Sequence, residues 1–175
     1  MSDPLVLMKV QPHLHPLLLE GDAQSIGDAV SGWVESGLTA RVVRGRKMRT
    51  VRGVLDEFAA ALQFPLYFGE NTNAFNECIA DLDTLAAGEG YVVTMMEPEQ
   101  VLADEDTAAL KWLARALVSA AEQWAQPVDL GEWWDRPAVP FHVVMAGERG
   151  QLESAAGRWS SAGVTPLPFG GSDGG

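Results

Sequence analysis

The chain has 175 residues, with 24 acidic against 12 basic side chains for a formal charge of −12, and 47% of its residues are hydrophobic. That length suits one domain, or one domain with an extension, and the apolar fraction is enough to build a core, which excludes wholesale disorder. A chain this acidic is repelled by phosphate backbones, so basic proteins are the expected partners and direct binding of nucleic acid is not expected.

In chain order, the start Met1 to Pro4 has no basic segment, and the apolar stretch Leu5 to Leu19 is broken by Lys9, Pro12 and Pro16. Neither a secretory signal nor a membrane span is expected there. Leu5 to Val10 reads as a short strand. His13 and His15 would share one face of a strand, as a metal pair requires, but no third His or Cys lies nearby and a surface loop is the better reading. From Asp22 to Glu35, Ile26, Ala29, Val30 and Trp33 recur at helical spacing, with Asp22 or Ser25 as the cap. Thr39 to Arg44 reads as a strand bounded by Gly37 and Gly45.

Val51, Val54, Leu55, Phe58 and Leu62 then make one stripe of a helix over Thr50 to Leu62, which Pro65 ends. A second helix is expected over Asn71 to Leu85, with Phe75, Cys78, Ile79 and Leu82 facing inward and Asn73, Asn76, Glu77 and Asp81 outward. Tyr91 to Met96 is a continuous apolar run, typical of a strand covered on both faces. Asp106 to Trp124 is the clearest helix, Phe141 to Ala146 is another buried strand, and the connection between them holds Trp133 and Trp134. Adjacent tryptophans in a long loop are read as covering one end of the core, with an exposed binding patch as the alternative. The order βααβαβ from Thr39 implies an α/β fold with a small parallel sheet of three core strands. Residues 1–38 are expected to pack as an extension, 39–159 to form the domain, and 160–175, rich in Gly, Ser and Pro, to be a loose tail.

The charge is not spread evenly. Six of the twelve basic residues lie between Arg41 and Arg52, and none lies between Gly53 and Leu110, where twelve acids sit, so the whole excess belongs to those 58 residues. Solvated faces would account for this, and so would an acidic docking surface. Glu77 and Asp81, four apart on one helix face, lack the further ligands a cation site needs. Glycine-rich phosphate loops, the nucleophile elbow and HExxH do not occur, so no cofactor and no metal is expected. His142 falls inside a buried strand and Cys78 on an apolar stripe, and both read as core residues. A single cysteine excludes an internal disulfide and suits a reducing cytoplasm.

One segment carries more. The helix stripe Val51, Val54, Phe58, Leu62 is followed by Phe64-Pro65-Leu66-Tyr67-Phe68-Gly69-Glu70-Asn71, then Asn73-Ala74 and Glu77-Cys78. This run closely resembles the barstar family of ribonuclease inhibitors, and the element order extends the resemblance to about Ala146. The resemblance implies a barstar-like fold and a non-enzymatic protein that covers the active site of a small basic microbial ribonuclease, or a related toxin nuclease, as an antitoxin or immunity partner would. The covering surface would be the loop and second helix: Tyr67, Phe68, Glu70, Asn73, Asn76, Glu77 and Asp81, with acidic side chains where RNA phosphates would lie. The chain departs from the family pattern at Asn73, where an aspartate is frequent, at Glu77, in place of a shorter aspartate, and at Asn76, where an aromatic is common. The later helix has Lys111 and Arg115 and no acid before Glu122, so its acidic contacts do not transfer. The free protein is expected to be monomeric and cytoplasmic. The rival reading is a barstar-like adaptor whose partner is not a nuclease, contacted through the N-terminal extension or the Trp133-Trp134 loop; a small α/β enzyme ranks last.

Overall fold

Two helix-starting residues stand where a strand was expected. The carboxylate of Asp3 accepts the amide of Leu5 at 2.9 Å and Pro4 fills the first helical position, so Pro4–Leu7 forms a single turn, α1, in place of a strand over Leu5 to Val10. The computed structural model describes residues 3–169. The first strand comes later, β1 at Leu17–Glu20, set between the punctuating residues Pro16 and Gly21. It is followed by α2 (Ala23–Glu35), β2 (Thr39–Arg44), α3 (Val51–Ala61), α4 (Thr72–Asp81), β3 (Tyr91–Met96), α5 (Thr107–Trp124), β4 (Phe141–Gly147), α6 (Arg149–Ser161) and the two-residue β5 (Leu167–Pro168). From β2 to β4 the order is the expected βααβαβ.

The sheet has five strands in the order β2-β3-β4-β1-β5, all parallel, in place of the three expected. The extra two come from the ends of the chain. Leu17 pairs with Val144 and Leu167, so β1 lies inside the sheet and the segment before Gly37 is not only packed against it. Past Trp159, helix α6 continues to Ser161, and Phe169 stacks on Trp33 at 5.8 Å. The described part of the expected loose tail is therefore tied to both sheet and helix, and residues 170–175 lie outside the described residues.

Alternation along the strands sorts the side chains into two layers. Val43, Tyr91, Val93, Met95, Phe141, Val143 and Met145 face the helices α3 to α6, while Leu17, Ala40, Val92 and Val144 face α1 and α2 through Leu7 and Trp33, with Leu38 in the same cluster. Every residue of β4 and all but the last of β3 are buried, as continuous apolar runs require. Successive crossovers from β2 to β4 run in one direction on one face, and the β1-to-β2 crossover runs back on the other, which gives three layers.

Candidate functional site: an acidic helix between two aromatic loops

The turn before α4 explains most of the Phe64 to Asn71 motif. Phe68 N donates to Pro65 O at 2.8 Å and closes a turn. Asn71 then works in both directions: its Oδ1 accepts Ala74 N at 2.9 Å as the helix cap, and its Nδ2 donates to Gly69 O at 3.1 Å. Glu70 between them has φ 50°, the left-handed region that short turns before a cap demand. Phe68 turns inward and packs edge-on against Phe64, centroids 5.2 Å apart, so this expected contact residue is half-buried and mainly structural. Leu66 and Tyr67 are left outside, Tyr67 at 80% exposure.

Helix α4 is fixed from below. Phe75 and Ile79 are fully buried, and the indole of Trp124 on α5 donates to Ile79 O at 3.1 Å, meeting one of the carbonyls that a helix end leaves free. After the left-handed Leu82, the hydroxyls of Thr84 and Tyr91 donate to Gln63 O and Leu85 O, and burial pushes the Tyr91 phenol up to about 12, so it stays a donor. Asn76, although exposed, accepts the Trp112 indole N–H at 3.1 Å and bridges α4 to α5. Asn73, Glu77 and Asp81 remain exposed on the outer face.

The ion pairs show where the excess charge is available. Four of the clustered arginines are matched with acids of the stretch that follows them: Arg44 with Glu57 at 3.0 Å, Arg46 with Glu97 at 2.8 Å, Arg49 with Asp104 at 2.8 Å, and Arg52 with Asp56 at 3.3 Å and Glu70 at 3.4 Å. Burial works against ionisation of Glu57, but the bonds from Arg44 outweigh it and hold the carboxyl below its usual range. Glu70 therefore meets Arg52 in its own chain. Glu105 receives Val51 N, Asp106 caps α5, and Glu99 takes the amide of Gln151. Among the described residues, Glu77, Asp81 and Asp83 have none of these partners. Burial and then Asp83 push the Asp81 carboxyl up, and Asp83, burial and Asp81 push the Tyr67 phenol up.

A raised carboxyl binds its proton more tightly folded than unfolded, so ionised Asp81 costs stability, and that cost is relieved as pH falls through its folded pKa. Asp81→Asn is therefore expected to raise the melting temperature at pH 7 and to narrow its advantage over the parent chain as the buffer is acidified. A lower melting temperature at pH 7 would contradict the assignment.

On either side of the Glu77–Asp81 ridge lies a hollow. One, of about 200 Å³, has Tyr67, Phe64 and Asp83 in its wall; the other, of about 730 Å³, is bounded by Trp124, Trp134 and Arg136. The second wall belongs to the connection between α5 and β4. Val128 and Arg136 exchange backbone hydrogen bonds at 2.9 Å, and Asp135 accepts the amides of Leu130, Gly131 and Glu132. At its tip Trp133 is 90% and Trp134 50% exposed, which corrects the reading that this pair covers the core. Sequence reasoning missed that Trp134 stands beside Glu77 and Asp81, since nothing in residue spacing links a loop to a helix about fifty residues earlier. The signal available was the pair itself, set in a polar segment.

Elsewhere, the crevice where β1 and β4 send their helices to opposite faces is the place open α/β sheets hold ligands. Here Asp22 Oδ1 takes Ser25 N at 2.8 Å and Gln151 takes Glu148 N at 2.9 Å, so the two helix starts meet side chains of the chain itself. Cys78 is half-buried, and burial raises its thiol. His142 is buried with Nε2 2.7 Å from Lys9 O, and burial lowers its pKa. His15 Nδ1 lies 3.2 Å from Thr165 O. Among the described residues no group of three or more His, Cys, Asp or Glu side chains is placed to hold a metal, and no helix is long and apolar enough to cross a membrane.

Comparison with known proteins bears on both fold and family. Similar solved structures include the crystal structure of Cdc6p from Pyrobaculum aerophilum, at 15% identity and a TM-score of 0.52, covering 95% of this chain and 43% of that one. Drosophila ORC bound to DNA matches at 13% identity and TM-score 0.47 over 94% of this chain and 83% of that one. Drosophila ORC bound to AT-rich DNA and Cdc6 matches at 16% and 0.43 over 81% and 46%. The chain thus spans less than half of Cdc6p, and at such identities the first likeness concerns the fold of the sheet and its helices alone. No curated protein matches the sequence. A family profile described as Barstar (barnase inhibitor) matches residues 38–146, from the residue before β2 to the penultimate residue of β4, and on that match the chain belongs to the Barstar family.

Proposed function

We propose that this protein inhibits a basic microbial ribonuclease, or a related toxin nuclease, by laying the Tyr67 loop and the outer face of α4 over the enzyme's active site. The activity is placed in residues 39–159, with the segments 1–38 and 160–175 as additions, and the protein acts without catalysis of its own, as a monomer when free, in the cytoplasm. The observation that carries this reading is the set of carboxylates Glu77, Asp81 and Asp83, left without counter-ions next to an exposed Tyr67 while the neighbouring acids are neutralised by arginines. A cleft built to bind RNA phosphates offers the missing cations, so complex formation supplies charge-assisted hydrogen bonds and accelerates encounter. Asn73 brings no charge to this face, which leaves Glu77, Asp81 and Asp83 to supply it.

Titration into barnase-like ribonucleases, with RNA cleavage followed at low and moderate salt, tests the proposal. Inhibition that weakens with salt is expected, and Glu77→Ala and Tyr67→Ala should each weaken it by about tenfold, the loss of one charge-assisted or aromatic anchor, with unchanged circular dichroism. No inhibition of any such enzyme at micromolar protein would overturn it. Capture of a partner without nuclease activity would favour the adaptor reading, to which the exposed Trp133-Trp134 loop lends its support.

A further inference from the structure

In the loop between α5 and β4, Asp135 and Arg136 bond inward while large apolar side chains face outward. Asp135 ties down three amides, and the Arg136 guanidinium donates to Gln123 O at 3.2 Å, Gln126 O at 3.0 Å and Pro137 O at 3.1 Å while lying 4.5 Å from the centroid of the Trp124 ring. Val139 N donates to Trp124 O at 2.7 Å and fixes the exit. On this built frame Leu130 and Trp133 are 70% and 90% exposed, and Trp133 meets Trp134 edge-on, 5.5 Å away. Exposed apolar side chains held out by an ordered frame, next to unpaired charge, mark an interaction surface.

We propose that this loop is a second docking arm, and that the hollow between Trp134 and Asp81 takes an arginine side chain from the partner protein, at a place separate from the Tyr67 side of α4. Charge complementarity selects the occupant. Glu77 and Asp81 line the hollow as carboxylates without counter-ions, whereas its one cation, Arg136, is already held by three carbonyls and an indole. A planar guanidinium can stack on Trp134 and bond a carboxylate at its edge, which an ammonium does less well. Leu130 and Trp133 then cover apolar surface around that arginine. The partner's basic character rests on the inhibitor reading, and the arm itself does not require the partner to be a nuclease.

The test uses the full chain and a capped hexa-arginine peptide, with hexalysine as the comparison, followed by 15N NMR with the indole signals assigned through single Trp→Phe variants. The Trp134 indole and the amides of Glu77 and Asp81 should shift together, hexalysine should bind several-fold more weakly, and Trp134→Ala should weaken hexa-arginine binding about tenfold. Val34→Ala, at an exposed position of α2 outside the hollow, serves as the folded control and should leave peptide binding unchanged, while Trp133→Ala should weaken binding of the whole partner. Shifts elsewhere only, or equal binding by Trp134→Ala, overturn the proposal. A chain that inhibits a ribonuclease as well with Trp134→Ala as without it keeps its proposed function and loses the arm; one that binds the peptide in the hollow yet inhibits no ribonuclease keeps the arm and loses that function.

Discussion

Phe75→Ala is expected to destabilise the protein by about 3–5 kcal/mol, a lowering of the melting temperature on the order of 10 °C for a chain of this size. Phe75 has no exposed surface and sits at the centre of an aromatic group. Its ring meets Phe58 edge-on at 5.2 Å, Trp112 at 5.1 Å and Phe64 at 5.9 Å. Those neighbours come from α3, α5 and the turn before α4, so no single element can move in to fill the space. The loss therefore combines transfer of the phenyl group with a cavity that cannot collapse. It would remove a large part of a typical total of about 5–15 kcal/mol. Urea denaturation checks it: a midpoint shift at constant slope is the expected form, and a loss below about 1 kcal/mol would mean the site relaxes. The site would suffer with the fold. Phe75 lies on the opposite side of the helix from Glu77, and the pose of the acidic face depends on how deeply Phe75 and Ile79 seat α4 on α5.

The same residues show what periodicity can and cannot reveal. Phe75, Ile79 and Leu82 recur at helical spacing, so the inward face of α4, and by subtraction its outward face, can be read directly from the sequence. The long strands β3 and β4 announce themselves as continuous apolar runs for the same reason: both of their faces are covered. By contrast, α6 buries Leu152, Ala155 and Trp159, but its inward face is narrow, one of its three anchors is an alanine, and Gly150 and Gly157 lower its propensity. The strand Leu17–Glu20 is too short for alternation to be told from chance, and only pairing with Val144 and Leu167 makes it a strand.

The candidate site divides in the same way. Which residues of the Tyr67 loop and α4 point outward follows from spacing and from the family resemblance. Which acids carry available charge does not, because that depends on ion pairs between distant elements: Arg49 meets Asp104 and Arg46 meets Glu97 across more than fifty residues. The −12 total therefore overstates the field at the docking face, where three carboxylates remain without partners. The position of Trp134 beside Asp81 is likewise a product of packing between elements, and no local pattern encodes it.

Two glycines in helices should respond in opposite senses to the same substitution. Helix propensity alone favours alanine over an interior glycine by about 1 kcal/mol. At Gly27 in α2 nothing lies within 4 Å of where a Cβ would stand, so Gly27→Ala should gain close to that amount. At Gly53 in α3 the same atom would fall 2.2 Å from Lys47 O and 3.2 Å from Met48 Cα. Both belong to the backbone of the 3-10 turn and its end that lead from β2 into α3, so no flexible side chain can swing aside. Met48 is itself fully buried, and its carbonyl accepts Leu102 N at 2.7 Å, which ties this turn to the segment after β3. Moving the turn by about an ångström would strain that link. Gly53→Ala is therefore expected to lose about 3 kcal/mol, the upper part of the usual range for overpacking, with the clash exceeding the gain in propensity. Thermal melts of the two variants beside the parent chain decide the matter. If Gly53→Ala proves as stabilising as Gly27→Ala, the close approach of the Lys47 backbone to α3 is wrong, and with it the reason a glycine stands in the first turn of an otherwise regular amphipathic helix.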